Sequence, residues 1–441
     1  MRLKFTELPG SIVAPRGFVA SGVFCDIKRL GTGKGSNKGP KRDLALIVSE
    51  VPATVAGLFT TNQVCAAPVK VCIERVKKGM AQAIVVNSGN ANACTGRQGL
   101  ADARAMTALV AKQFGLRDET VLVGSTGRIG VTMPMENVRR GIIAASQSVN
   151  ASTASADAVA EAIMTSDTRP KQIAIEFKLD GKAVRIGGVC KGAGMIEPGM
   201  SANGKRPSAK PLHATMLCFM TTDAAIEART LQQCLENAVA QSFNRITVDG
   251  DMSTNDTVVV LANGLAENNK LETRNQKLET FQSALNHVCL ELAKMIVRDG
   301  EGVTRFITVR VNGARNFADA DAAARAVANS ELVKTSWFGG DPNWGRIIAA
   351  LGYSAARIVE ENVDIGYSAP DNRQVIWSLK RGQPTKATFK QLCAAAAPKE
   401  FDLHINLNLG RASALMYASD LTEEYVEFNK GDVTDPGSLG G

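Results

Sequence analysis

The sequence predicts an α/β or α+β layered sandwich of mixed sheets and helices. Short apolar segments with strand character alternate with alanine-rich stretches of helical spacing, the alternation is not strict, and no internal repeat or low-complexity tract interrupts it. Asp43–Ser49 (DLALIVS) and Ala83–Val86 read as strands, the second running into a glycine-punctuated loop, Asn87–Asn90. Leu100–Phe114 carries apolar residues at helical spacing and leads to a strand at Val121–Val123. Ser155–Met164 is helical by composition, and Ile173–Ile186 is a pair of alternating segments about Asp180-Gly181, a hairpin signal. Leu231–Ser242 and Phe281–Val297 read as helices leading into strands at Val258–Leu261 and Phe306–Val311. One segment breaks the pattern. Pro198–Pro211 (PGMSANGKRPSAKP) reads as an exposed loop, and after His213-Ala214-Thr215 it gives way to the apolar run Met216–Met220.

Length and composition bound the possibilities. The 441 residues (46.7 kDa) allow about three domains at roughly 150 residues each, or two large ones. Hydrophobic residues at 45% and charged residues at 21% exclude wholesale disorder, and a core of this size needs no disulfide staples. The net charge of +8 is scattered, and aromatics are only 5%, which argues against nucleic-acid binding and fits solubility or carboxylate substrates. Nine cysteines, an odd number with no CxxC pair, read as reduced core residues of a cytosolic protein. No apolar run approaches a membrane span, and the first residues lack a signal-peptide apolar region. The expectation is a cytoplasmic protein without membrane or nucleic-acid partners.

Common catalytic chemistries find little material here. There are three histidines, His213, His287 and His404, and the last two sit in apolar helix and strand patterns as structural residues. A histidine triad or a histidine metal site is therefore disfavoured, and no HExxH motif occurs. Gly31-Thr32-Gly33-Lys34-Gly35 fails as a phosphate loop, because Gly35 follows the lysine and Lys28 stands where the first glycine belongs. What remains is a hydroxyl nucleophile with the α-amine of an N-terminal Thr as its base, whose ordinary pKa near 7.7–8.0 suits that work. An internal Thr becomes N-terminal when its hydroxyl attacks the preceding carbonyl and the resulting ester hydrolyses. Thr215 after the small Ala214 is a candidate, although a Thr opening a strand is by itself ordinary β-propensity.

The neighbourhood of Thr215 adds specificity. KGAGMI (Lys191–Ile196), Ala214-Thr215-Met216-Leu217 and Thr221-Thr222-Asp223-Ala224 resemble the glutamate N-acetyltransferase (ornithine acetyltransferase) family. The resemblance spans nearly the whole chain. It includes KRDLALIVS (41–49), NSGNANACTG (87–96), GSTGRIG (124–130), MTSDTRPK (164–171), TVDGDMSTNDT (247–257), VRDGEG (297–302) and DPNWGRI (341–347). It implies an α/β sandwich of the self-processing Thr-nucleophile group, cut between Ala214 and Thr215 into an α-chain, 1–214, and a β-chain, 215–441, that associate as α2β2. The implied reaction is acetyl transfer from N2-acetylornithine to glutamate in arginine biosynthesis, without metal or prosthetic group. Some family members also take acetyl-CoA as a co-substrate. By the same resemblance Thr215 is the nucleophile, and Thr126 and Gly127 form the oxyanion hole. Thr165, Lys191, Thr215, Glu301, Asn429 and Thr434 contact substrate. Read alone, GSTG is a plain turn, Lys191 a solvated loop lysine and Glu301 turn surface.

The chain departs from the family pattern at several places. Thirteen residues, 201–213, separate Met200 from Ala214, Arg128 follows Gly127, Met252 stands in the TSTND motif, and Ser166 and Arg169 alter MTSDTRPK. The competing readings are an aminopeptidase or amidase in which water accepts the acyl group, a divergent paralogue acting on another N-acyl amino acid, and an uncleaved binding protein.

Overall fold

A computed structural model describes residues 5–28, 41–203, 216–272, 275–372 and 374–430. The chain divides into two compact units, Met1–Asn244 with Asp251–Ile296 and Gly431–Gly441, and Arg245–Gly250 with Val297–Lys430. The mixed α/β architecture is the expected one, with a sheet in each unit.

The strands of the first unit are β1 (Thr6–Glu7), β2 (Phe18–Val23), β3 (Leu44–Phe59), β4 (Met80–Asn90), β5 (Val121–Arg128), β6 (Lys171–Leu179), β7 (Lys182–Lys191) and β8 (Leu217–Thr222). With β9 (Ile246–Thr247) in the second unit, the ninth strand here is β10 (Thr257–Ala262). Their order is β1-β6-β7-β8-β10-β3-β4-β5, with β2 also on β3. Strands β4 and β5 pair in parallel, as do β8 and β10, and the other neighbours are antiparallel. Both faces of the central strands are covered, so β8 and β10 are buried throughout and read as apolar runs rather than alternations. The hairpin β6–β7 turns at Asp180 (φ 53°) and Gly181 (φ 76°), the left-handed pair a two-residue loop requires. The helices are α1 (Ala67–Val76), α2 (Gly96–Phe114), α3 (Met135–Ser148), α4 (Thr153–Ala162), α5 (Ala228–Ala240) and α6 (Gln276–Arg298). Helices α1 and α2 pack on β5, α3 and α4 on β2 and β3, and α5 on β3.

In the second unit β9 joins β11 (Phe306–Ala314), β12 (Asp364–Ser368), β13 (Ile376–Lys380), β14 (Gln383–Pro384), β15 (Glu400–Asn406) and β16 (Ala412–Ser419) in the order β14-β13-β12-β15-β11-β16-β9. Its helices are α7 (Phe317–Ala328), α8 (Glu331–Phe338), α9 (Trp344–Gly352), α10 (Phe389–Ala396) and α11 (Glu423–Asn429). Alanine-rich α7 lies on β11 and β16, its small side chains permitting close approach. DPNWGRI is the start of α9, where Asn343 caps the helix by accepting from Arg346 N–H at 3.1 Å. His404 in β15 bonds Ser368 at 2.9 Å, and in α6 His287 lies 5.2 Å from the Phe5 ring; both are structural.

Three expectations need correction. Asn87–Asn90 is not a loop but the buried end of β4, and Gly124–Arg128 likewise continues β5, because the two segments pair with each other. Pro198, Gly199 and Met200 are buried rather than exposed: Thr61 Oγ donates to Gly199 O at 2.9 Å, and Met200 N–H donates to Asn244 Oδ1 at 3.1 Å. Cys94 is exposed, whereas Cys25, Cys72, Cys190, Cys218, Cys234 and Cys289 are buried. The glycine-rich stretch 31–35 and residues 204–211 lie outside the described residues, and among those described no helix is long and apolar enough to cross a membrane.

The Phe219 ring, 1% exposed in β8, belongs to the core of the first unit. Phe219→Ala is expected to cost about 3–5 kcal/mol, read as a lower denaturation midpoint.

Candidate active site

The tips of β4 and β5 meet in parallel, with Ser88 opposite Thr126 and Gly89 opposite Gly127. A Cβ on Gly127 would lie 2.4 Å from the Gly89 carbonyl carbon and 2.6 Å from Asn90 N, and φ is +126°, so only glycine fits. The NSGNANACTG motif is an asparagine scaffold for this junction. Asn87 Nδ2 donates to Asn90 O (2.8 Å), Ser125 Oγ donates to Asn87 Oδ1 (2.7 Å), and Asn92 N–H donates to Asn90 Oδ1 (2.8 Å). Asn92 Nδ2 then reaches Gly99 O at the start of α2 (2.9 Å). On this fixed tip Thr126 is 1% exposed and its Oγ1 has no hydrogen-bond partner. A buried unsatisfied hydroxyl costs about 1–3 kcal/mol, so the fold holds Thr126 at this tip at a cost in stability.

Lys191 ends β7 and is 2% exposed, not a solvated loop lysine. Next to it Gly192 N–H donates to Asp167 Oδ1 at 2.8 Å, and Lys171 Nζ donates to the same oxygen at 2.6 Å. Asp167 Oδ2 accepts from Thr165 N–H at 2.9 Å. The structure thus brings Thr165 and the Lys191-Gly192 step onto one carboxylate. Burial alone would raise the Asp167 pKa, but the Lys171 and Lys191 ammoniums and the two Oδ1 hydrogen bonds outweigh it and hold it well below the usual range. Lys28, donating to Arg42 O at 2.6 Å, is lowered to about 8 chiefly by burial.

The segment Ser253–Thr257 closes the site from another side. Asn255 Nδ2 donates to Ala91 O (2.7 Å) and to Ser125 O (2.8 Å), the latter adjacent to Thr126. Asp256 Oδ1 accepts from Met216 N–H (2.5 Å), while Thr257 N–H donates to Met216 O (3.0 Å). Burial drives the Asp256 pKa well above the carboxylate range, opposed by the Met216 N–H and by Lys191. At the other end of β8 the TTDA motif is structural: Asp223 accepts Arg185 N–H at 2.8 Å and Thr221 Oγ1 donates to Ile12 O at 2.7 Å. Ala214 and Thr215 lie outside the described residues, Thr215 directly preceding Met216, and so does Thr434.

In the second unit Asn429 Nδ2 donates to Glu301 Oε2 at 2.9 Å and to Tyr425 O at 2.9 Å. The turn carrying Glu301 is pinned to α11 by Thr422, whose hydroxyl donates to Gly302 O (2.7 Å) and accepts from Tyr425 N–H (3.2 Å). Glu301 and Asn429, 128 positions apart, are therefore neighbours. Sequence reasoning passed over Asp167, Asn255 and Asp256. Their only signal was a place inside MTSDTRPK and TVDGDMSTNDT.

Because folding depresses the Asp167 pKa, its contribution to stability is complete above the ordinary aspartate value of about 3.9 and is lost as pH falls below it towards the folded value. Asp167→Asn removes the carboxylate that Lys171 Nζ bonds and is expected to cost roughly 3–5 kcal/mol near neutrality. Melting curves from pH 3 to 7 should show the gap from wild type narrowing as pH drops below about 4.

The ArgJ family profile matches residues 21–432. The arginine biosynthesis bifunctional protein ArgJ of Symbiobacterium thermophilum is 46% identical over 424 residues, covering 96% of this chain and 98% of that protein. The glutamate N-acetyltransferase of Methanocaldococcus jannaschii is 44% identical over 427 residues, with 96% and 98% covered. Among solved structures, the ornithine acetyltransferase of Mycobacterium tuberculosis complexed with ornithine is 35% identical, with a TM-score of 0.40 over 45% of this chain and 100% of that one. A match of this extent and identity places the chain in the ArgJ family.

Proposed function

We propose that this chain is an acetyltransferase of arginine biosynthesis that moves an acetyl group from N2-acetylornithine to glutamate through an acetyl-Thr215 ester. The observation that carries the reading is the unpartnered Thr126 hydroxyl, buried on a strand tip that Asn255 ties to the residue pair holding Met216. The Thr215 hydroxyl first attacks the Ala214 carbonyl, the peptide bond becomes an ester, and water hydrolyses it. The α-chain, 1–214, and the β-chain, 215–441, stay associated and assemble as α2β2 in the cytoplasm.

In turnover the Thr215 hydroxyl attacks the acetyl carbonyl of acetylornithine while its own α-amine takes the proton. The Thr126 hydroxyl and the Gly127 N–H donate to the oxyanion of the tetrahedral intermediate. Collapse returns the proton to the departing ornithine amine. The glutamate amine then attacks the ester, the proton again passes through the Thr215 amine, and N-acetylglutamate leaves. Lys191 is suited to a substrate α-carboxylate and Glu301, steadied by Asn429, to an ammonium group. Thr165 and Thr434 complete the contacts. No metal or prosthetic group enters the scheme, and acetyl-CoA, which some family members take, is a candidate second donor.

Intact-mass analysis of wild type incubated with acetylornithine is expected to show two chains, the one beginning at Thr215 carrying an acetyl group. Thr215→Ala should remain one chain and not turn over, and Thr126→Ala should lower kcat about 10²–10³-fold. Acetate release indifferent to glutamate would instead identify a hydrolase.

A further inference from the structure

A cation outside the roles assigned above is built into the tip of β4. A Cβ on Gly89 would lie 2.6 Å from Lys28 Cα and 2.8 Å from Lys28 N, so the Lys28 main chain crosses the tip at contact distance. Gly89 is the cross-strand neighbour of Gly127. Asp43, fully buried, fastens the crossing. Its Oδ1 accepts from Cys25 N–H (2.7 Å), and its Oδ2 accepts from Ile27 N–H (2.6 Å) and Lys28 N–H (3.2 Å). Its main-chain carbonyl accepts from Ser88 N–H at 2.9 Å, which ties the same residue to β4. Lys28 Nζ donates to Arg42 O at 2.6 Å, and the charges acting on it include Asp43, Lys41, Glu161 and Asp167. Asp167 is the joint between Thr165 and Gly192. Lys28 thus has its main chain against the Gly127 tip and its ammonium in the field of the carboxylate that holds Thr165 and the Lys191-Gly192 step.

The two substrates differ in charge. Acetylornithine brings one carboxylate and one ammonium, whereas glutamate brings two carboxylates. Lys191 suits the α-carboxylate that both share, and Glu301, suited to an ammonium, has the wrong sign for the second one. Lys171 is committed to Asp167 within a buried pair. We propose that Lys28 is a specificity-determining residue for the acceptor, its ammonium binding the side-chain carboxylate that glutamate has and acetylornithine lacks. This rests on the acetyl-transfer reading above. An ammonium has three donors, so a bond to Arg42 O and one to a carboxylate are compatible. Burial outweighs the carboxylates around Lys28 and weakens its hold on its proton. An arriving carboxylate supplies the compensation that these neighbours do not, through a charge-assisted hydrogen bond.

The test compares the two half-reactions in the full-length protein. Lys28→Met keeps the apolar stem and removes the charge, so the KM for glutamate is expected to rise about 10–100-fold. Single-turnover acetylation of the enzyme by acetylornithine, which brings no second carboxylate, should change far less. Glutamine, of the same shape but uncharged at the side chain, separates a carboxylate contact from a structural effect. Wild type should prefer glutamate to glutamine, Lys28→Met should lose most of that preference, and Lys28→Arg should recover it. A glutamate-to-glutamine ratio unchanged in Lys28→Met would overturn the proposal, as would a ratio lost in Arg128→Leu but kept in Lys28→Met. Wild-type crystals soaked in N-acetylglutamate decide the matter independently of how the variants fold. Lys28 Nζ is expected within about 3.2 Å of the side-chain carboxylate, and a separation beyond about 4 Å refutes the contact. Wild type that takes no acetyl group from acetylornithine would overturn the acetyl-transfer reading itself, whereas transfer with an unchanged ratio removes only the role of Lys28.

Discussion

Asn255 spends both protons of its side-chain amide on main-chain carbonyls from elsewhere in the chain, Ala91 O and Ser125 O. Its own Oδ1 is held by Thr254 Oγ1 at 2.5 Å, so the amide cannot flip to accept instead. The consequence reaches beyond two bonds. Ala91 follows the first asparagines of the scaffold at the tip of β4, Ser125 precedes Thr126 on β5, and Asp256 holds the beginning of β8. Catalysis of acyl transfer depends on holding donor and nucleophile within a few tenths of an ångström of their working separation. In this molecule the tips of β4 and β5 and the start of β8 are tied together through one planar amide and one carboxyl on adjacent residues. Isolated strand ends fray; these cannot, because their last polar groups are the ones in the network.

The buried carboxyls around Lys191 show how burial is managed differently for two tasks. Asp167 is surrounded by donors on both oxygens and by the Lys171 ammonium, so its charge is fully compensated and it acts as a fixed anionic joint between Thr165 and Gly192. Asp256 feels Lys191 but accepts few hydrogen bonds, and burial prevails. A compensated buried anion rigidifies, whereas a carboxyl whose burial outweighs its partners keeps its proton. The Lys191 charge acts on both carboxyls from the buried end of β7.

Local features of the fold were legible. Asp180-Gly181 announced its hairpin because the left-handed turn is a property of those two residues alone, and Leu100–Phe114 announced its helix through its own periodicity. Asn87–Asn90 and Gly124–Arg128 were misread for a reason that applies to sites generally. Their polar and glycine-rich composition signals a loop only when the side chains look to water. Here each asparagine is satisfied by a distant partner, and the glycine is demanded by a backbone passing at contact distance. Resemblance could name Thr126, Lys191, Glu301 and Asn429, yet it could not reveal that Glu301 and Asn429 are hydrogen-bonded or that Thr126 is left empty-handed. Those are facts of long-range geometry.

The thirteen-residue insertion at 201–213 poses the question of what a longer segment does to the fold on either side of it. The anchors on either side answer it. Upstream, Ser201 exchanges both main-chain hydrogen bonds with Phe59 (2.9 and 3.0 Å), and Met200 is held by Asn244. Downstream, Met216 is clamped by Asp256 and then by the β8 ladder to β7 and β10. Extra residues between two fixed points change the closure entropy only logarithmically, roughly 0.6 kcal/mol per doubling of length. They exert no leverage on a clamp that acts through the amide of residue 216. The start of β8 is thus fixed from its carboxyl side, by the ladder it leads into, whatever the length of the segment before it.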